Sequence, residues 1–322
     1  MDIYYCTYIA TNEYTELIVI LKRLYLLNIL ITGSSGLIGT ALQAALHKQG
    51  HKVYCMERGE NCTSNFFWQP EKNIIHLDTT KSIDVVINLA GSNISDGRWT
   101  DKKKQLILDS RIKSTQLLST ALAKLQSPPK LFISGSAIGF YGETGSGIVN
   151  ENSDGGNDFL ANISKQWEDA TNAATAAGIR TVNLRTGIVL STKGGALQKM
   201  LLPFKLGLGG VVGSGKQYMS WVSIEDVTRI ISFIIDTDTL VGPVNMVSPE
   251  PVTNYEFTKS LGQSLGRPTI FPMPAFVARL LFGEMADALL LTSIRVKPER
   301  LIQQGYDFYH QNLSNALKDI IN

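Results

Sequence analysis

The sequence is poor in the residues from which disulfides and metal sites are built. Its 322 residues include only three cysteines and four histidines. Cys6, Cys55 and Cys62 are odd in number and form no C-x-x-C pair, which argues against both a disulfide framework and a zinc site. No metal is therefore predicted, and the unpaired thiols are typical of a protein in the reducing cytoplasm.

A strong charge and a long apolar run are also missing. The formal net charge is +2, which argues against a nucleic-acid partner because such proteins usually carry a strong basic patch. Near the N-terminus, residues 17–21 and 24–27 are apolar, but Lys22 and Arg23 separate them. Neither block is long enough to cross a bilayer, and no signal-peptide pattern is present. We predict that residues 1–27 form an extension outside the fold and that the protein has no membrane partner.

A glycine-rich turn is the most informative feature that is present. Residues 33–39 read Gly-Ser-Ser-Gly-Leu-Ile-Gly, between an apolar run at 28–32 and an amphipathic segment at 37–49. A strand, a glycine turn and a helix in this order are typical of a dinucleotide-binding loop, in which the pyrophosphate binds the free amides of the helix N-terminus. The first glycine permits the tight turn, the second the approach of the pyrophosphate, and the third close helix–strand packing. The predicted cofactor contacts here are Gly33, Ser35, Gly36, Leu37, Ile38 and Gly39.

Apolar strand-like runs alternate with helical patterns along the first part of the chain. The predicted strands continue at residues 53–56, 85–90, 131–134 and 181–185, and the predicted helices at 101–126 and 159–177. This alternation predicts an α/β fold, a Rossmann-type doubly wound parallel sheet with its ligand at the carboxyl ends of the strands. After about residue 190, glycines and prolines break the rhythm. We predict a dinucleotide-binding domain at 28–190, and at 191–322 mainly a smaller α+β substrate-binding lobe, with some segments returning to the sheet.

Several ordered sequence blocks resemble one known family. They include residues 86–91 (Val-Ile-Asn-Leu-Ala-Gly), 133–142, 184–190 and 213–221. These blocks resemble the extended short-chain dehydrogenase/reductase superfamily of NAD-dependent epimerases and dehydratases, and within it the YfcH-like epimerase family proteins. The resemblance covers residues 28–319. It implies a Rossmann fold with a bound dinucleotide, a sugar-nucleotide-like substrate and, as one option for the assembly, a homodimer.

The residues after the second and third predicted strands bear on the choice of cofactor. Leu89, Ala90 and Gly91 end a buried strand, where small residues would let the adenosine half of the cofactor lie against the backbone. Glu57 would favour NAD by binding a ribose 2′-hydroxyl, whereas Arg58 would favour NADP by binding a 2′-phosphate. The resemblance implies Arg58 and NADP, with NAD the less favoured cofactor. Ser134, at another strand end, is expected to lie near the nicotinamide.

The catalytic pattern of the superfamily is incomplete in this chain. Ser136 matches the serine that polarises a substrate oxygen in the family. The family's base is a tyrosine four residues before a lysine, but Lys165 is preceded at that distance by Ala161, and a second alignment places Leu160 and Ser164 at the two positions. Neither alignment supplies a tyrosine. Tyr141, Lys165 and a water molecule remain the candidate bases, and Tyr141 also fits a packed aromatic ring in a glycine turn.

Basic residues near the predicted strand ends indicate an anionic substrate. Arg98 and Arg111 could each hold an anionic group, and Arg185 ends a further strand. The loop around Lys216, Gln217 and Tyr218 resembles the segment that holds the nucleotide half of a sugar nucleotide in extended family members. These six residues are the predicted substrate contacts, although an ordinary surface salt bridge would also explain Arg98 or Arg111.

Two functional hypotheses follow. In the first, the protein is an NADP-dependent nucleoside-diphosphate-sugar epimerase or oxidoreductase that acts on a small anionic substrate, with Ser136 orienting the reacting oxygen. In the second, it binds NADP(H) as a sensor or pseudoenzyme, and the absent tyrosine reflects a loss of hydride-transfer chemistry.

Overall fold

The computed structural model describes residues 26–59 and 64–321. The predicted N-terminal extension lies outside this part of the chain, apart from its last two residues. The strands are β1 (Asn28–Thr32), β2 (Lys52–Cys55), β3 (Glu57–Arg58), β4 (Phe66–Gln69), β5 (Ile74–Leu77), β6 (Val85–Asn88), β7 (Leu131–Ala137), β8 (Ile148–Val149), β9 (Arg180–Thr186), β10 (Ile188–Leu190), β11 (Tyr218–Met219), β12 (Trp221–Ser223), β13 (Gly242–Met246), β14 (Val252–Thr253) and β15 (Arg295–Val296).

Helices cover much of the remaining chain. The α-helices are α1 (Leu37–Lys48), α2 (Asp101–Ala123), α3 (Phe159–Asp169), α4 (Asn172–Ala176), α5 (Gly195–Lys205), α6 (Ile224–Asp236), α7 (Asn254–Ser264), α8 (Ala275–Phe282), α9 (Glu299–Gln303) and α10 (Leu313–Ile321). Short 3₁₀ turns lie at Pro70–Lys72 and Ile138–Tyr141, and a π-helical turn lies at Ala286–Leu291. Within the described ranges, no helix has the length and apolar content needed to span a membrane.

A six-stranded parallel sheet forms the centre of the molecule, in the order β13-β9-β7-β6-β1-β2. The predicted α/β class and doubly wound parallel sheet are confirmed. The strand order reverses between β1 and β6, which pair from Ile29 with Val85 to Thr32 with Asn88. In such sheets, ligands bind in the crevice beyond the carboxyl ends of the two strands at this reversal. This places the crevice beyond Thr32 and Asn88.

The buried strands explain why the sheet is covered on both faces. Ile29 and Ile31 belong to a core cluster that includes residues of α1 and α6, whereas Leu30, between them, packs in a second cluster with residues of α2 and α4. All three side chains are 0–1% exposed. Side chains of a strand alternate between faces, so a continuous apolar run fills both layers.

The single continuous helix predicted at residues 159–177 is wrong. Residues 159–177 form α3 and the short α4, with a break at residues 170–171. At the break, Thr171 Oγ1 donates to the Glu168 carbonyl oxygen (2.6 Å), and Ser119 Oγ of α2 donates to the Thr171 carbonyl oxygen (3.1 Å) and accepts from the Ala174 amide (2.9 Å). These side chains satisfy the backbone groups that the interrupted helix leaves free.

The chain beyond residue 190 contributes to the central layers and to a separate cluster. Strand β13 pairs with β9 at the sheet edge, and α6 packs on the face that α1 covers. A further cluster, which includes Leu197, Trp221 and Phe257, joins α5, β12 and α7. The chain beyond residue 190 therefore completes the sheet and also contributes to a further hydrophobic cluster.

Candidate functional site

The glycine turn packs directly against the end of β6. Gly33 has a φ of +67°, and a Cβ at this position would lie 2.7 Å from the carbonyl carbon and oxygen of Leu89. A Cβ on Gly39 would lie 2.3 Å from the Gly33 carbonyl oxygen. Only glycine fits both places, since a left-handed backbone and such contacts exclude a side chain. The turn and the segment of Leu89, Ala90 and Gly91 are thus brought together as one wall of the crevice.

The N-terminus of α1 has the chemistry of an anion site. Its first residue follows Gly36, no side chain caps it, and its first turn contains no acidic residue. The free amides and the helix dipole favour a negatively charged group at this position. Ser35 and Gly36 are exposed, so the free amides are accessible; the cavity of 690 Å³ beside them continues along α1, where Lys193, Glu225 and Asp319 also line it. The N-terminus of α1 therefore fits a dinucleotide pyrophosphate.

A buried polar network fixes the strand ends beneath this wall. Thr32 Oγ1 donates to Asn88 Oδ1 (2.6 Å), and Asn88 Nδ2 donates to Thr115 Oγ1 (2.8 Å). Trp167 Nε1 donates to the same threonine oxygen (2.9 Å). Ser134 is fully buried, with its Oγ 3.4 Å from Asn88 Nδ2. The predicted cofactor residue Ser134 therefore lies inside this network.

Arg58 lies at the end of β3 on the surface. Its guanidinium forms an ion pair with Glu71, and both side chains are more than half exposed. The neighbouring Glu57 is also exposed. A phosphate at this position would meet a carboxylate as well as an arginine, so Glu71 opposes what Arg58 favours.

The predicted catalytic serine belongs to a chain of buried hydrogen bonds. Ser136 is 4% exposed and donates to Glu168 Oε1 (2.7 Å), while Arg185 binds both carboxylate oxygens of Glu168, through Nε (2.8 Å) and Nη2 (2.9 Å). Arg185 Nη1 donates to the Tyr141 hydroxyl (3.0 Å), which donates to Asn245 Oδ1 (2.7 Å). Arg185 is therefore neutralised by Glu168, a residue whose role the sequence did not reveal.

The two predicted bases are both engaged within the protein. Burial raises the pKa of the Tyr141 phenol, and Arg185 only partly opposes that shift. Lys165 Nζ donates to the carbonyl oxygens of Gly155 (3.3 Å) and Gly156 (2.7 Å). A phenol with a raised pKa is a poor source of phenolate. The structure thus brings Ser136 and Tyr141 into one network but directs Lys165 elsewhere.

Leu160 and Ser164 stand on the face of α3 that meets the glycine turn at residues 139–142. A Cβ on Gly139 would lie 3.2 Å from the Leu160 Cβ and 3.9 Å from Ser164 Oγ. Leu160 also lines a cavity of 430 Å³ with the aromatic side chains of Trp99 and Phe159. Five charged residues also line the cavity, and acidic groups outnumber basic ones: Glu143, Asp158, Arg279, Glu284 and Asp287. Asp287 pairs with Arg279 and Glu284 pairs with Lys104, so these lining residues offer a phosphate no free cation and the cavity suits an uncharged group better.

The predicted arginines differ in their surroundings. Arg98 is exposed, and its guanidinium donates to the Leu280 carbonyl oxygen of α8. Arg111 instead lies against Gly91, with its Cζ 5.1 Å from the centroid of the Trp167 ring. Burial lowers the pKa of Arg111 to about 10. In the part of the chain that the structure describes, no carboxylate pairs with Arg111.

The loop that precedes β11 does not present its three predicted contacts as one surface. Gln217 is 6% exposed and donates to the carbonyl oxygens of Val212 (2.9 Å) and Leu290 (3.0 Å), so it joins two loops. Lys216 is exposed. Arg295 stacks on the Tyr218 ring, with its Cζ 4.3 Å from the ring centroid.

No metal site is evident in residues 26–59 and 64–321, where no group of three histidine, cysteine, aspartate or glutamate side chains could hold an ion. His47 and His51 stand four residues apart, a spacing that can bind zinc on one helix. Helix α1 ends between them, at Lys48, and His51 Nδ1 accepts a hydrogen bond from the Leu27 amide.

Comparison with known proteins agrees with this geometry. A family model described as the NAD dependent epimerase/dehydratase family matches residues 29–246. The chain belongs to the NAD-dependent epimerase/dehydratase family. A second model, a domain of unknown function called DUF1731, matches residues 273–320. An epimerase family protein of Mycobacterium bovis is 43% identical over 288 residues, which cover 89% of this chain and 95% of that protein.

Solved structures of other epimerase/dehydratase family proteins share the fold. The human epimerase family protein SDR39U1, determined with NADPH, has a TM-score of 0.83 and 34% identity, covering 91% of this chain and 98% of that one. A nucleoside-diphosphate sugar epimerase of Corynebacterium glutamicum has a TM-score of 0.76 and 33% identity, covering 92% of this chain and 58% of that one. The expected family membership is confirmed.

Proposed function

We propose that this epimerase/dehydratase family protein is an NADP(H)-dependent epimerase or oxidoreductase that acts on a nucleoside-diphosphate sugar or a similar anionic metabolite in the cytoplasm. The observation that carries the proposal is the uncapped N-terminus of α1 behind Gly33 and Gly39, which leaves room and free amides for a pyrophosphate. NADPH in the human relative supports NADP over NAD, and the printed name of the Corynebacterium relative supports the substrate class.

The residues of this chain divide the work as follows. The amides of Leu37 and Ile38 and the backbone at Leu89, Ala90 and Gly91 hold the dinucleotide, which accepts or supplies a hydride when bound. Arg58 binds the 2′-phosphate after it exchanges Glu71 for the ligand. Each of these contacts can be tested by binding alone.

In this proposal Ser136 orients the reacting oxygen of the alcohol. Its Oγ donates to Glu168 Oε1 (2.7 Å), so its lone pairs are left to accept a hydrogen bond from the substrate hydroxyl, and a water molecule takes the proton. Arg185 holds Glu168 in place through both of its carboxylate oxygens. This route needs no tyrosine.

A second candidate function is an NADP(H) sensor without turnover. It is supported by the absence of the family's tyrosine in both alignments and by the low exposure of Ser136. A sensor of this kind would bind NADPH and leave every substrate unchanged.

The two candidates differ in one experiment. The full-length protein is titrated with NADPH and NADH by fluorescence and is then incubated with nucleoside-diphosphate sugars, including uronic acids, while nicotinamide absorbance and sugar epimers are followed. We expect tighter binding of NADPH and turnover of one substrate class. Ser136→Ala should lower turnover by at least about a hundredfold with NADPH affinity retained, whereas Ser232→Ala serves as the control.

The outcomes separate the proposals cleanly. Tight NADPH binding with no change in any substrate would favour the sensor. Absence of NADPH binding would contradict both, and turnover that survives Ser136→Ala would contradict the proposed role of Ser136.

A further inference from the structure

A cation without a counter-ion lies in the crevice at Arg111. Its Nη1 donates to the Ile107 carbonyl oxygen (3.0 Å), and none of its remaining N–H groups meets an acceptor among the residues that the structure describes. A guanidinium carries five N–H donors in a planar fork that matches a carboxylate or phosphate. Arg111 is only partly exposed, so an anion that binds its free donors would be partly shielded from water, which strengthens the attraction between the two charges.

The position of this guanidinium is the carboxyl edge of two neighbouring strands. A Cβ on Gly91, three residues after β6, would lie 3.3 Å from the Arg111 Cζ. The Trp167 ring beneath Arg111 is itself held against Gly135 of β7, where a Cβ would lie 2.8 Å from its Cζ2. Gly91 is exposed, so the guanidinium is approached from the crevice across a residue that has no side chain.

A second unpaired group lies on the residue that follows Gly91. Ser92 Oγ is buried and has no hydrogen-bond partner, while its amide donates to Ser110 Oγ (3.0 Å), on the residue before Arg111. Residues 91–92 and 110–111 therefore pack side by side. The Ser92 hydroxyl and the remaining Arg111 N–H groups both lack a partner within the described residues, and for the buried hydroxyl this is unusual.

The other arginines near the crevice do not share this property. Arg185 donates to both carboxylate oxygens of Glu168, and Arg98 donates to a carbonyl oxygen at the surface. Of these three, only Arg111 combines partial burial with a free donor face.

We propose that Arg111 is the subsite for an oxyanion of the substrate, a carboxylate or a phosphate, at the edge of β6 and β7. This inference rests on the proposed function, because it assigns the anionic group of the substrate to one residue. It also separates the substrate into an anionic end at Arg111 and an uncharged part that suits the cavity beside Leu160, where Arg279 is already paired with Asp287.

Anion binding by the NADPH-saturated, full-length protein tests the assignment. Melting temperature is followed against inorganic phosphate and against acetate, with sodium chloride holding the ionic strength constant. We expect a saturable rise with at least one of the two anions, and the effective anion identifies the source as phosphate or carboxylate. In Arg111→Met the half-saturating concentration should rise about tenfold or more, because a charge-assisted contact is lost. Arg111→Lys should keep part of the response.

The matched control is Lys113→Met, which removes an exposed cation from the same helix. It should leave the anion response unchanged. A wild-type protein that does not respond to either anion, or an Arg111→Met protein that responds like wild type, would overturn the proposal. A tenfold loss of NADPH affinity in Arg111→Met would also overturn it, since Arg111 would then hold the cofactor. If the wild type fails to bind NADPH, the proposed function fails first, and that result is distinct.

Discussion

The buried ion pair between Glu168 and Arg185 allows a quantitative test of the network behind Ser136. Their side chains are 12% and 4% exposed, and two hydrogen bonds join them. Burial lowers the pKa of Arg185, but Glu168 and the Tyr141 hydroxyl raise it by more, so the net shift is upward. Glu168→Gln would leave the guanidinium buried without its counter-ion.

The expected magnitude follows from that burial. Removing one partner of a buried ion pair typically costs about 3–5 kcal/mol, because the other charge stays uncompensated. We expect this cost for Glu168→Gln and a similar cost for Arg185→Met. The double variant should lose less than the two single changes together, by about 2 kcal/mol or more.

Urea unfolding of the four proteins measures this coupling. The matched cycle is the exposed pair Asp109 and Lys113 on α2, separated by one helical turn, with Asp109→Asn and Lys113→Met. Its coupling should be about 0.3–0.5 kcal/mol. Additive losses in the buried cycle, or single changes that each cost under about 1 kcal/mol, would refute the reasoning.

Three further predictions concern Arg58, the glycine turn and the pH dependence of stability. Arg58→Ala should weaken NADPH binding about tenfold or more while leaving NADH binding unchanged, and Glu71→Gln should strengthen NADPH binding, because it removes a competing carboxylate; equal effects on both cofactors in a fluorescence titration would argue against a 2′-phosphate contact. Gly39→Ala should cost about 1–3 kcal/mol in thermal unfolding, because its Cβ would meet the Gly33 carbonyl oxygen at 2.3 Å, and an unchanged melting temperature would show that the turn can move. Burial raises the pKa of Glu151 above its ordinary 4.5, so ionisation costs stability as pH rises. Glu151→Gln should therefore raise the melting temperature at pH 8 and lose this advantage below about pH 4; an equal gain at both values would contradict the assignment.

Much of the central fold was predictable because its signals are local. The apolar runs at β1 and β6 identify buried strands, and the glycine turn after β1 identifies the start of α1. The break between α3 and α4 was not predictable, because Ser119, more than fifty residues earlier, satisfies the backbone there. Residues 170–177 are alanine and threonine apart from Asn172, and a single asparagine is not a turn signal strong enough to show the break.

The sequence indicated several residues of the candidate site, but it did not indicate the ion pairs and hydrogen bonds among them. Ser136 was selected because it matches a serine of the family. Arg111 and Arg185 were selected because they lie near predicted strand ends. Which arginine is left without a carboxylate partner depends on contacts between distant segments. Glu168 takes the hydrogen bonds of Ser136 and Arg185, and no spacing rule in the sequence indicates this partnership.

The sequence by itself determined that this chain folds as an epimerase/dehydratase family protein with a glycine turn between β1 and α1. Glycine positions and strand–helix alternation are properties of neighbouring residues, and they survive without knowledge of distant contacts. The tertiary structure alone decided which charges are neutralised. It pairs Arg185 with Glu168 and leaves Arg111 open at Gly91, because a charge is compensated only by the groups that the fold brings within hydrogen-bond distance.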